Sequence, residues 1–416
     1  MKKIVSCLLG IALLGGISQK AENMSIDKEI YSKQTYFEMQ SPAITCGDGF
    51  DESIAVDSVN LAVTAKSAYL TDSTGRYVLY AKDELKRLPI ASMCKIMTLL
   101  LTFEAIEQGG LAFDELITVS ETAAGMGGSQ VFLEAHAKYP VKELIKSIVV
   151  CSANDSCVAL AERICGSESL FTDKMNEKAK QIGMENTLFA NCTGLPKEPQ
   201  YSCAKDVALM LKELITHKEY FEFGQIWMDK FQHPEGRYTE ISNTNKLVRF
   251  YDGCDGGKTG FTNQAGFCLA ATAKRDNTRV ISVVIGEETS NTRFSDVRQM
   301  FDYAFANYSS QEVVVGNQTI LEKKSKVIGG KVEEVCICPS RSSYVFGKRG
   351  EKKNVTLEYE FSGIKAPFEK GEKVGRVTIY EDNVAVDCVD LLTAEGVEKA
   401  NLYDTLKKIS NAWNLK

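Results

Sequence analysis

Three short stretches of the chain carry residue types that could do chemistry, and the first pairs a serine with a lysine. In PIASMCKIMTLL, from Pro89 to Leu100, Ser92 and Lys95 stand three residues apart at the start of an apolar run. Side chains at this spacing lie on the same face of a helix. A serine hydroxyl becomes a useful nucleophile only when a neighbouring base takes its proton. The spacing therefore makes Lys95 a candidate base for Ser92.

A lysine can act as a base only when its amine is neutral. At a reference pKa of about 10.4, roughly one lysine amine in 2,500 is neutral at pH 7. Burial and a second nearby cation both lower this pKa, by up to about 3–5 units at deeply buried positions. Apolar residues cover nearly every face of the helix predicted from about Ser92 to Gln108, which indicates a central, buried helix. Such a helix would supply the desolvation that a neutral Lys95 needs.

The position of this motif makes it informative, because Ser-x-x-Lys alone is common. The motif occurs four times, starting at Ser25, Ser92, Ser202 and Ser362. Only Ser92 opens an apolar helix shortly after a proline, whereas a surface lysine near a capping serine explains the other three. The chain has three histidines, none in a recognisable triad context, and it has no G-x-S-x-G motif. Ser92 is therefore the candidate nucleophile.

Two further motifs follow in the chain. Ser152-x-Asn154 stands between two helical runs, where a loop could present both side chains. Lys258-Thr259-Gly260 is the only Lys-Thr-Gly in the chain and lies directly before a predicted hairpin. Each motif alone also fits a surface loop or turn. The three together, in the order S-x-x-K, S-x-N, K-T-G, are specific.

The apolar pattern divides the 416 residues into five predicted parts. The N-terminus has two lysines, a short apolar run and small residues, as is typical of a secretory signal peptide. The next segment is polar and without periodicity, which predicts an irregular, mobile stretch. The parts are a signal peptide at 1–21, this N-terminal segment at 22–52, a catalytic domain at 53–309, a β domain at 310–394 and a tail helix at 395–416.

Strand-like runs open and close the predicted catalytic domain, and helical patterns fill its middle. One hairpin turns at residues 72–75 and another at 276–277, before a further amphipathic helix. Strands that flank an inserted helical segment can pair in one sheet. After about residue 310, short β-type runs alternate with turn residues. The predicted fold class is α/β (α+β), with a helical lobe inserted in the catalytic domain and a small all-β domain after it.

In their order and context the three motifs resemble those of the serine D-Ala-D-Ala carboxypeptidases. These low-molecular-weight penicillin-binding proteins of peptidase family S11 share their catalytic domain with class A β-lactamases. The segments GSQVFLEA, NCTGLPKEPQYSCAKDVALM and KTGFTNQAGFCLAATAKR also resemble the family, and APFEKGEKVGRVTIYEDNVAVDCVDLL resembles its C-terminal β domain. The resemblance covers nearly the whole exported chain. It implies a β-lactamase/transpeptidase-like catalytic domain that needs no cofactor and no metal.

The resemblance also implies a role for each residue of the first two motifs. Ser92 would form the acyl-enzyme, and Lys95 would be the base that activates it. Ser152 would relay a proton to or from the leaving D-alanine, and Asn154 would hold the substrate amide.

The third motif and a later arginine would recognise the substrate's charged groups. Lys258 and Thr259 would face the terminal carboxylate, and Lys258 would also keep the catalytic lysine neutral by like-charge repulsion. Gly260 completes the motif, and the backbone N–H of Phe261 would join that of the nucleophile in an oxyanion hole. Arg293 falls where the family keeps a carboxylate-contacting arginine, although a solvated loop arginine is the alternative.

The function implied is removal of the terminal D-alanine from peptidoglycan stem peptides, with β-lactam antibiotics as inhibitors. A class A-like β-lactamase is one alternative, but its Glu-x-x-x-Asn motif is absent between Asn154 and Lys258. A transpeptidase, in which an amine captures the acyl group, stays open. A non-catalytic wall-binding relative is disfavoured because every motif side chain is present. The expected location is the outer face of the bacterial cytoplasmic membrane, next to the cell wall.

Charge and cysteine content narrow the remaining possibilities. A formal net charge of −6, without a Lys/Arg-rich block, gives no reason to expect nucleic-acid binding. Of the 13 cysteines, Cys7 leaves with the signal peptide, and most others lie in apolar runs that predict free, buried thiols. Cys94 and Cys151 adjoin candidate catalytic residues, where their oxidation could block the site.

The last residues return to a helical period. Four apolar residues fall on one helical face and two lysines lie beside them: Leu402, Leu406, Ile409 and Trp413, with Lys407 and Lys408. A tryptophan and basic residues flanking an apolar stripe favour a helix that lies on an anionic membrane surface. The alternative is a tail that docks on the β domain or stays disordered.

Overall fold

The structure of the protein is a computed structural model that describes residues 28–38 and 59–414. The predicted signal peptide at 1–21 lies outside the described residues. The described chain forms two compact units, one of residues 59–309 and one that combines residues 310–414 with residues 28–38.

The first unit contains nine helices and strands β2–β10 among its described residues. Its helices are α1 (Lys95–Glu107), α2 (Glu121–Ala124), α3 (Val141–Cys151), α4 (Asn154–Cys165), α5 (Glu168–Gln181), α6 (Ala204–Leu214), α7 (Tyr220–Gly224), α8 (Leu247–Phe250) and α9 (Ser290–Asn307). Its strands are β2 (Ser67–Asp72), β3 (Val78–Lys82), β4 (Leu116–Thr118), β5 (Lys138–Pro140), β6 (Met228–Gln232), β7 (Tyr238–Ser242), β8 (Cys254–Thr262), β9 (Gly266–Arg275) and β10 (Thr278–Glu287).

The second unit is built almost entirely of strands. They are β1 (Lys28–Glu38), β11 (Tyr308–Val314), β12 (Ile320–Ile328), β13 (Glu334–Pro339), β14 (Ser343–Lys348), β15 (Lys352–Ser362), β16 (Ile364–Lys365), β17 (Lys373–Glu381) and β18 (Val384–Thr393), followed by helix α10 (Leu402–Asn414).

A five-stranded sheet in the order β3-β2-β10-β9-β8 organises the first unit, and its neighbouring strands run antiparallel. The two hairpins predicted from sequence, β2–β3 and β9–β10, are both present and pair through the central β10. β10 is buried along nearly its whole length, as expected when both faces of a sheet are covered. Helices α6 and α9 pack against it. The strands before and after the helical segment thus join in one sheet, as predicted.

Helix α1 lies at the centre of the helical segment. Its apolar side chains point in every direction and find partners on all sides, so that Leu99, Leu100 and Phe103 are at most 2% exposed. The helix ends before Gly109, whose φ of 72° is a conformation that glycine adopts without steric cost. A buried helix at this place is what a desolvated lysine at its first position requires.

The second unit is a seven-stranded sheet in the order β1-β15-β17-β18-β13-β12-β16, with a separate pair of β11 and β14. Alternate residues of β15 are buried, among them Val355, Leu357 and Phe361, which pack in the core of this unit. This period of two is the signature of a strand with one face on a core. The predicted fold class, a mixed catalytic domain followed by an all-β domain, is confirmed.

Strand β1 corrects the expectation of an irregular segment at 22–52. Residues 28–38 pair antiparallel with β15 in one continuous register from Lys28↔Ser362 to Glu38↔Lys352. The segment contains Ile, Tyr, Thr and Phe residues that favour strands. A lone strand of this kind has no stable form, and its order depends on the free edge of β15, which sequence periodicity does not reveal.

The tail helix starts later than predicted. Val397 forms a β-bridge with Phe368, and Lys399 forms one with Gly330, so these residues belong to the body of the second unit. Helix α10 begins at Leu402. None of the helices in the described part of the chain is long and apolar enough to cross a membrane.

Candidate active site

The serine–lysine pair lies at the start of α1. A 3₁₀ turn over Ala91–Cys94 precedes the helix, and it sets Lys95 Nζ 3.0 Å from Ser92 Oγ. The amine also donates a hydrogen bond of 2.5 Å to the carbonyl oxygen of Thr193. Ala91 has a φ of 47°, an unusual backbone conformation for a residue with a side chain. The predicted pairing of hydroxyl and amine is present, directly after a strained backbone position.

Burial makes Lys95 suitable as a base. Its side chain is 0% exposed, and this burial lowers the pKa of its amine. Sulfur atoms of four cysteines surround it, and thiolates there would favour the charged amine. Burial instead raises the pKa of these thiols, to about 11 for Cys151 and about 12 for Cys157, so they stay neutral at pH 7. The amine therefore has no anionic thiol to hold its proton.

The cysteines beside the motifs are packing residues whose thiols donate to backbone carbonyl oxygens. Cys94 Sγ donates to the carbonyl oxygen of Asn191 at 3.2 Å, and Cys151 Sγ donates to that of Ser147 at 3.2 Å. All cysteines among the described residues are unpaired thiols.

The second motif occupies the junction between α3 and α4. Ser152 ends α3 in the left-handed conformation, with φ 67° and ψ 35°. Its Oγ is buried and has no hydrogen-bond partner among the described residues. Asn154 Nδ2 donates to the carbonyl oxygen of Gly127 at 2.7 Å, while its Oδ1 likewise lacks a partner in the described part of the chain. Buried polar atoms are normally satisfied, so these two are available to a bound molecule.

The third motif lies on β8, at the edge of the five-stranded sheet. Lys258 is 1% exposed, and burial, followed by the charge of Lys95, lowers its pKa to about 7. Thr259 Oγ1 donates to Thr244 Oγ1 at 2.8 Å. Phe261 is 51% exposed. The two motif lysines thus interact electrostatically, and this repulsion opposes the presence of two buried cations.

Arg293, in the first turn of α9, faces the same strand. Its Nη1 donates to the carbonyl oxygens of Gly260 at 3.3 Å and Cys268 at 3.4 Å. Its Nε has no partner among the residues described. Burial lowers its pKa to about 10, so the guanidinium remains a cation at pH 7. Arg293 is therefore a buried cation with one unused donor, and not the solvated loop residue that was the alternative.

Backbone contacts bring the three motifs together. A Cβ placed on Gly260 would lie 2.6 Å from the carbonyl oxygen of Ile90 and 3.3 Å from the amide nitrogen of Ser92, so β8 passes directly beside the nucleophile. Thr244 connects the other two motifs, because its N–H donates to the carbonyl oxygen of Val150 at 3.0 Å and its hydroxyl accepts from Thr259. The strand and the helix ends therefore form one site.

Comparison with known proteins identifies the family. Residues 54–289 match Peptidase S11, the D-alanyl-D-alanine carboxypeptidases, and residues 308–399 match the C-terminal domain of penicillin-binding protein 5. The chain belongs to the D-alanyl-D-alanine carboxypeptidase family. The family predicted from the three motifs is confirmed, and with it a serine-type carboxypeptidase of the bacterial cell wall.

Individual relatives agree with this assignment. D-alanyl-D-alanine carboxypeptidase DacF of Bacillus subtilis is 40% identical over 355 residues, which cover 85% of this chain and 91% of that protein. The structure of PBP3, a peptidoglycan synthesis regulatory factor of Streptococcus pneumoniae, is 26% identical with a TM-score of 0.65, covering 80% of this chain and 99% of that one. Penicillin-binding protein D2 of Listeria monocytogenes in its ampicillin-bound form is 31% identical with a TM-score of 0.54, covering 59% and 100%.

Sequence reasoning missed three residues that support the carboxypeptidase site, two through a backbone carbonyl and one through a side-chain hydroxyl. Thr193 contributes a carbonyl oxygen to Lys95, Gly127 contributes one to Asn154, and Thr244 holds the motif threonine. None of them belongs to a chemical motif. A carbonyl group is present at every position of the chain, so only the fold selects which ones line the site.

Gly194 provides a test of how closely the backbone must approach the nucleophile. Its φ is 80°, and a Cβ there would lie 2.0 Å from the carbonyl oxygen of Ala91. Gly166 has a similar φ of 83° but open space around it. We expect Gly166→Ala to cost only the left-handed backbone penalty of about 1–2 kcal/mol. Gly194→Ala should unfold at a lower temperature and acylate with penicillin about 10²-fold more slowly, because the turn at Ser92 must move. Equal acylation rates in the two variants would contradict this reasoning.

Proposed function

We propose that this enzyme removes the terminal D-alanine from peptidoglycan stem peptides that end in D-Ala-D-Ala, through an acyl-enzyme on Ser92. One observation carries the proposal: the fully buried Lys95 amine, its pKa lowered by burial, lies 3.0 Å from Ser92 Oγ. Among the described Ser-x-x-Lys serines, only Ser92 lies within hydrogen-bond reach of its lysine. The membership of the carboxypeptidase family supports the choice of substrate.

Acylation begins when neutral Lys95 takes the Ser92 proton and Oγ bonds to the carbonyl carbon of the penultimate D-alanine. The N–H groups of Ser92 and Phe261 stabilise the oxyanion that forms. Ser152, whose Oγ is otherwise unpartnered, passes a proton to the nitrogen of the departing D-alanine as the C–N bond breaks. A water then attacks the ester by the reverse proton route and releases Ser92.

Substrate recognition uses the unused polar groups of the site. Asn154 binds the substrate amide with its free Oδ1 and its Nδ2. The charges of Lys258 and Arg293, with the hydroxyl of Thr259, bind the terminal carboxylate. A free carboxylate is what distinguishes a C-terminal residue from an internal one, so these cations make the enzyme a carboxypeptidase.

A muropeptide that ends in D-Ala-D-Ala tests the function directly. We expect mass analysis after incubation to show loss of one alanine, and labelled penicillin to form a stable adduct on Ser92. The ampicillin-bound form of the Listeria relative supports the second expectation. Rapid turnover of penicillin would indicate a β-lactamase, transfer of the peptide to an added amine would indicate a transpeptidase, and neither label nor product would indicate a non-catalytic relative.

We also propose that α10 holds the exported enzyme on the membrane surface. Leu402 and Tyr403 are each 73% exposed, and Leu406 is 52% exposed. Lys407 lies beside this apolar surface, where it can meet anionic headgroups. These three apolar side chains are therefore uncovered, as an interfacial anchor requires, whereas Lys408 donates to the carbonyl oxygen of Gly330 at 2.8 Å and is not directed to headgroups.

Truncation after Asn401 should release active enzyme from vesicles that contain anionic lipid. This position removes α10 and spares the bridging residues Val397 and Lys399, so the β domain keeps its contacts. Leu406→Glu should weaken flotation with the vesicles without changing alanine release, whereas Leu321→Glu, a charge placed on another exposed leucine, should float as the full-length protein does. Equal flotation of full-length and truncated enzyme would show that the tail is no anchor.

A further inference from the structure

Two buried carboxyl groups meet at the end of β10, outside the three motifs. Glu287 is the last residue of β10 and is 1% exposed, and Asp296, on α9, is 9% exposed. The two carboxyl groups interact electrostatically, because the negative charge of Asp296 adds to burial in raising the pKa of Glu287. Glu287 Oε1 and Asp296 Oδ2 are both buried and have no hydrogen-bond partner among the described residues, and a proton shared between them would satisfy both oxygens. Two buried carboxylates that repel each other cannot both be ionised without a large cost in free energy.

The surroundings contain little positive charge to balance a second negative one. Lys82, on β3, favours ionised Asp296, but its amine donates to the carbonyl oxygens of Ala62 and Val63 at 2.8 Å each. Thr64 donates its hydroxyl to Glu287, while the hydroxyl of Thr292 donates to the carbonyl oxygen of Thr289.

Two further ionisable groups lie near the pair without neutralising it. Lys66 contacts Gly286 through its aliphatic carbons, and the charge of Asp296 helps to raise the pKa of the Tyr80 phenol, after burial, so this phenol stays uncharged. The shared proton is therefore the main source of neutrality in this cluster.

The pair is connected to Arg293 through two routes. Asp296 follows Arg293 by one turn of α9, so a displacement of the helix at Asp296 also displaces Arg293. Glu287 pairs in the sheet with Phe267, whose ring lies 5.3 Å from the Arg293 guanidinium carbon and 4.3 Å from the ring of Phe261. The pair thus fixes the junction from which α9 presents its arginine to β8.

We propose that Glu287 and Asp296 share one proton and act as positioning residues that hold Arg293 against the substrate's terminal carboxylate. The proposal rests on the carboxylate-binding role given above to Arg293. When the shared proton is lost, two adjacent anions repel, the junction between β10 and α9 loosens, and Arg293 is no longer held. The nucleophile and its base are not part of this connection, so binding changes while the chemical step does not.

The pH range follows from the acid that holds the proton. Burial, together with the neighbouring Asp296, raises the pKa of Glu287 from its ordinary 4.5 to about 7. Between these two values the folded protein holds a proton that the unfolded chain has lost, so stability decreases as the pH rises through this window. The KM for the peptide should increase about 3–10-fold between pH 6 and pH 8, with kcat following only the catalytic lysines.

Glu287→Gln tests the pair, because glutamine donates a hydrogen bond to Asp296 at any pH. The natural enzyme should show a rise in KM above pH 7 that depends on this pair of carboxyl groups. In Glu287→Gln we expect this rise to be absent, while kcat stays as in the natural enzyme. The melting temperature of the natural enzyme should decrease between pH 5 and pH 7, and that of Glu287→Gln should not. Glu288→Gln, at the exposed neighbouring carboxylate, is the matched control and should behave as the natural enzyme does. A variant that lowers kcat and melting temperature at every pH alike would show a purely structural role and overturn the proposal.

Infrared difference spectra between pH 6 and pH 8 test the shared proton without any activity. A protonated-carboxyl C=O band should disappear with rising pH in the natural protein and in Glu288→Gln, and should be absent from Glu287→Gln. If the band behaves so but no D-alanine is released, the proposed function fails and the proton-sharing pair stands. If D-alanine is released but no such band exists, the pair is wrong and the function stands.

Discussion

Ser92→Ala should abolish both penicillin labelling and release of D-alanine. The variant keeps the buried amine of Lys95 but removes the atom to which the acyl group bonds, and no other hydroxyl among the described Ser-x-x-Lys motifs lies next to its lysine. Loss of a catalytic serine in enzymes of this mechanism lowers kcat by at least about 10⁴-fold. The measurement is labelling with fluorescent penicillin, followed by mass analysis of the muropeptide product.

The matched control is Ser362→Ala, which disrupts another Ser-x-x-Lys sequence in the β domain. Ser362 lies at the end of β15 and is paired with Lys28 in the sheet of the second unit, whereas every candidate site residue belongs to the first unit. This variant should be labelled by penicillin and should release D-alanine as the natural enzyme does. Labelling that persists in Ser92→Ala would place the nucleophile elsewhere and end the assignment of the site.

Lys258→Ala should lower kcat/KM far more than Thr259→Ser does. Removal of the lysine takes away a buried charge that meets the carboxylate, a loss of about 10²–10³-fold. Thr259→Ser keeps the hydroxyl that donates to Thr244 and should cost about tenfold or less. Initial rates with the muropeptide measure both effects, and equal losses would contradict a special role for the charge.

The pH profile of the lysine variant separates charge from shape. Lys95 works only when neutral, so kcat rises as the pH rises through its pKa, and Lys258 works only when charged, so kcat falls as the pH rises through about 7. In Lys258→Ala this descending limb should disappear. The rising limb should move to higher pH, because Lys95 has lost a neighbouring cation that opposed its protonation.

Lys258→Arg is the control for this pH argument. An arginine keeps its charge throughout the range, so it should retain carboxylate binding and lack the descending limb. A descending limb that is unchanged in Lys258→Ala would show that another group produces it, and the proposed tuning between the two lysines would be wrong.

Local sequence determined the chemistry and the order of the elements. Ser92, Lys95, Ser152 and Lys258 stood out because three short motifs follow one another in a specific order, and because only Ser92 opens an apolar helix. Periodicity of three to four marked the buried helix that desolvates Lys95, and turn residues marked both hairpins. Each of these signals is formed by residues that are near one another in the chain, so a single sequence contains it completely.

The tertiary structure alone decided which distant groups meet. Thr193 accepts from a lysine 98 positions earlier in the chain, and β1 depends on an edge strand more than 300 positions away. The shared proton of Glu287 and Asp296 likewise depends on burial that neither residue type reveals. Each of these contacts uses backbone groups or common side chains, which exist throughout the chain and acquire a role only through the neighbours that folding gives them.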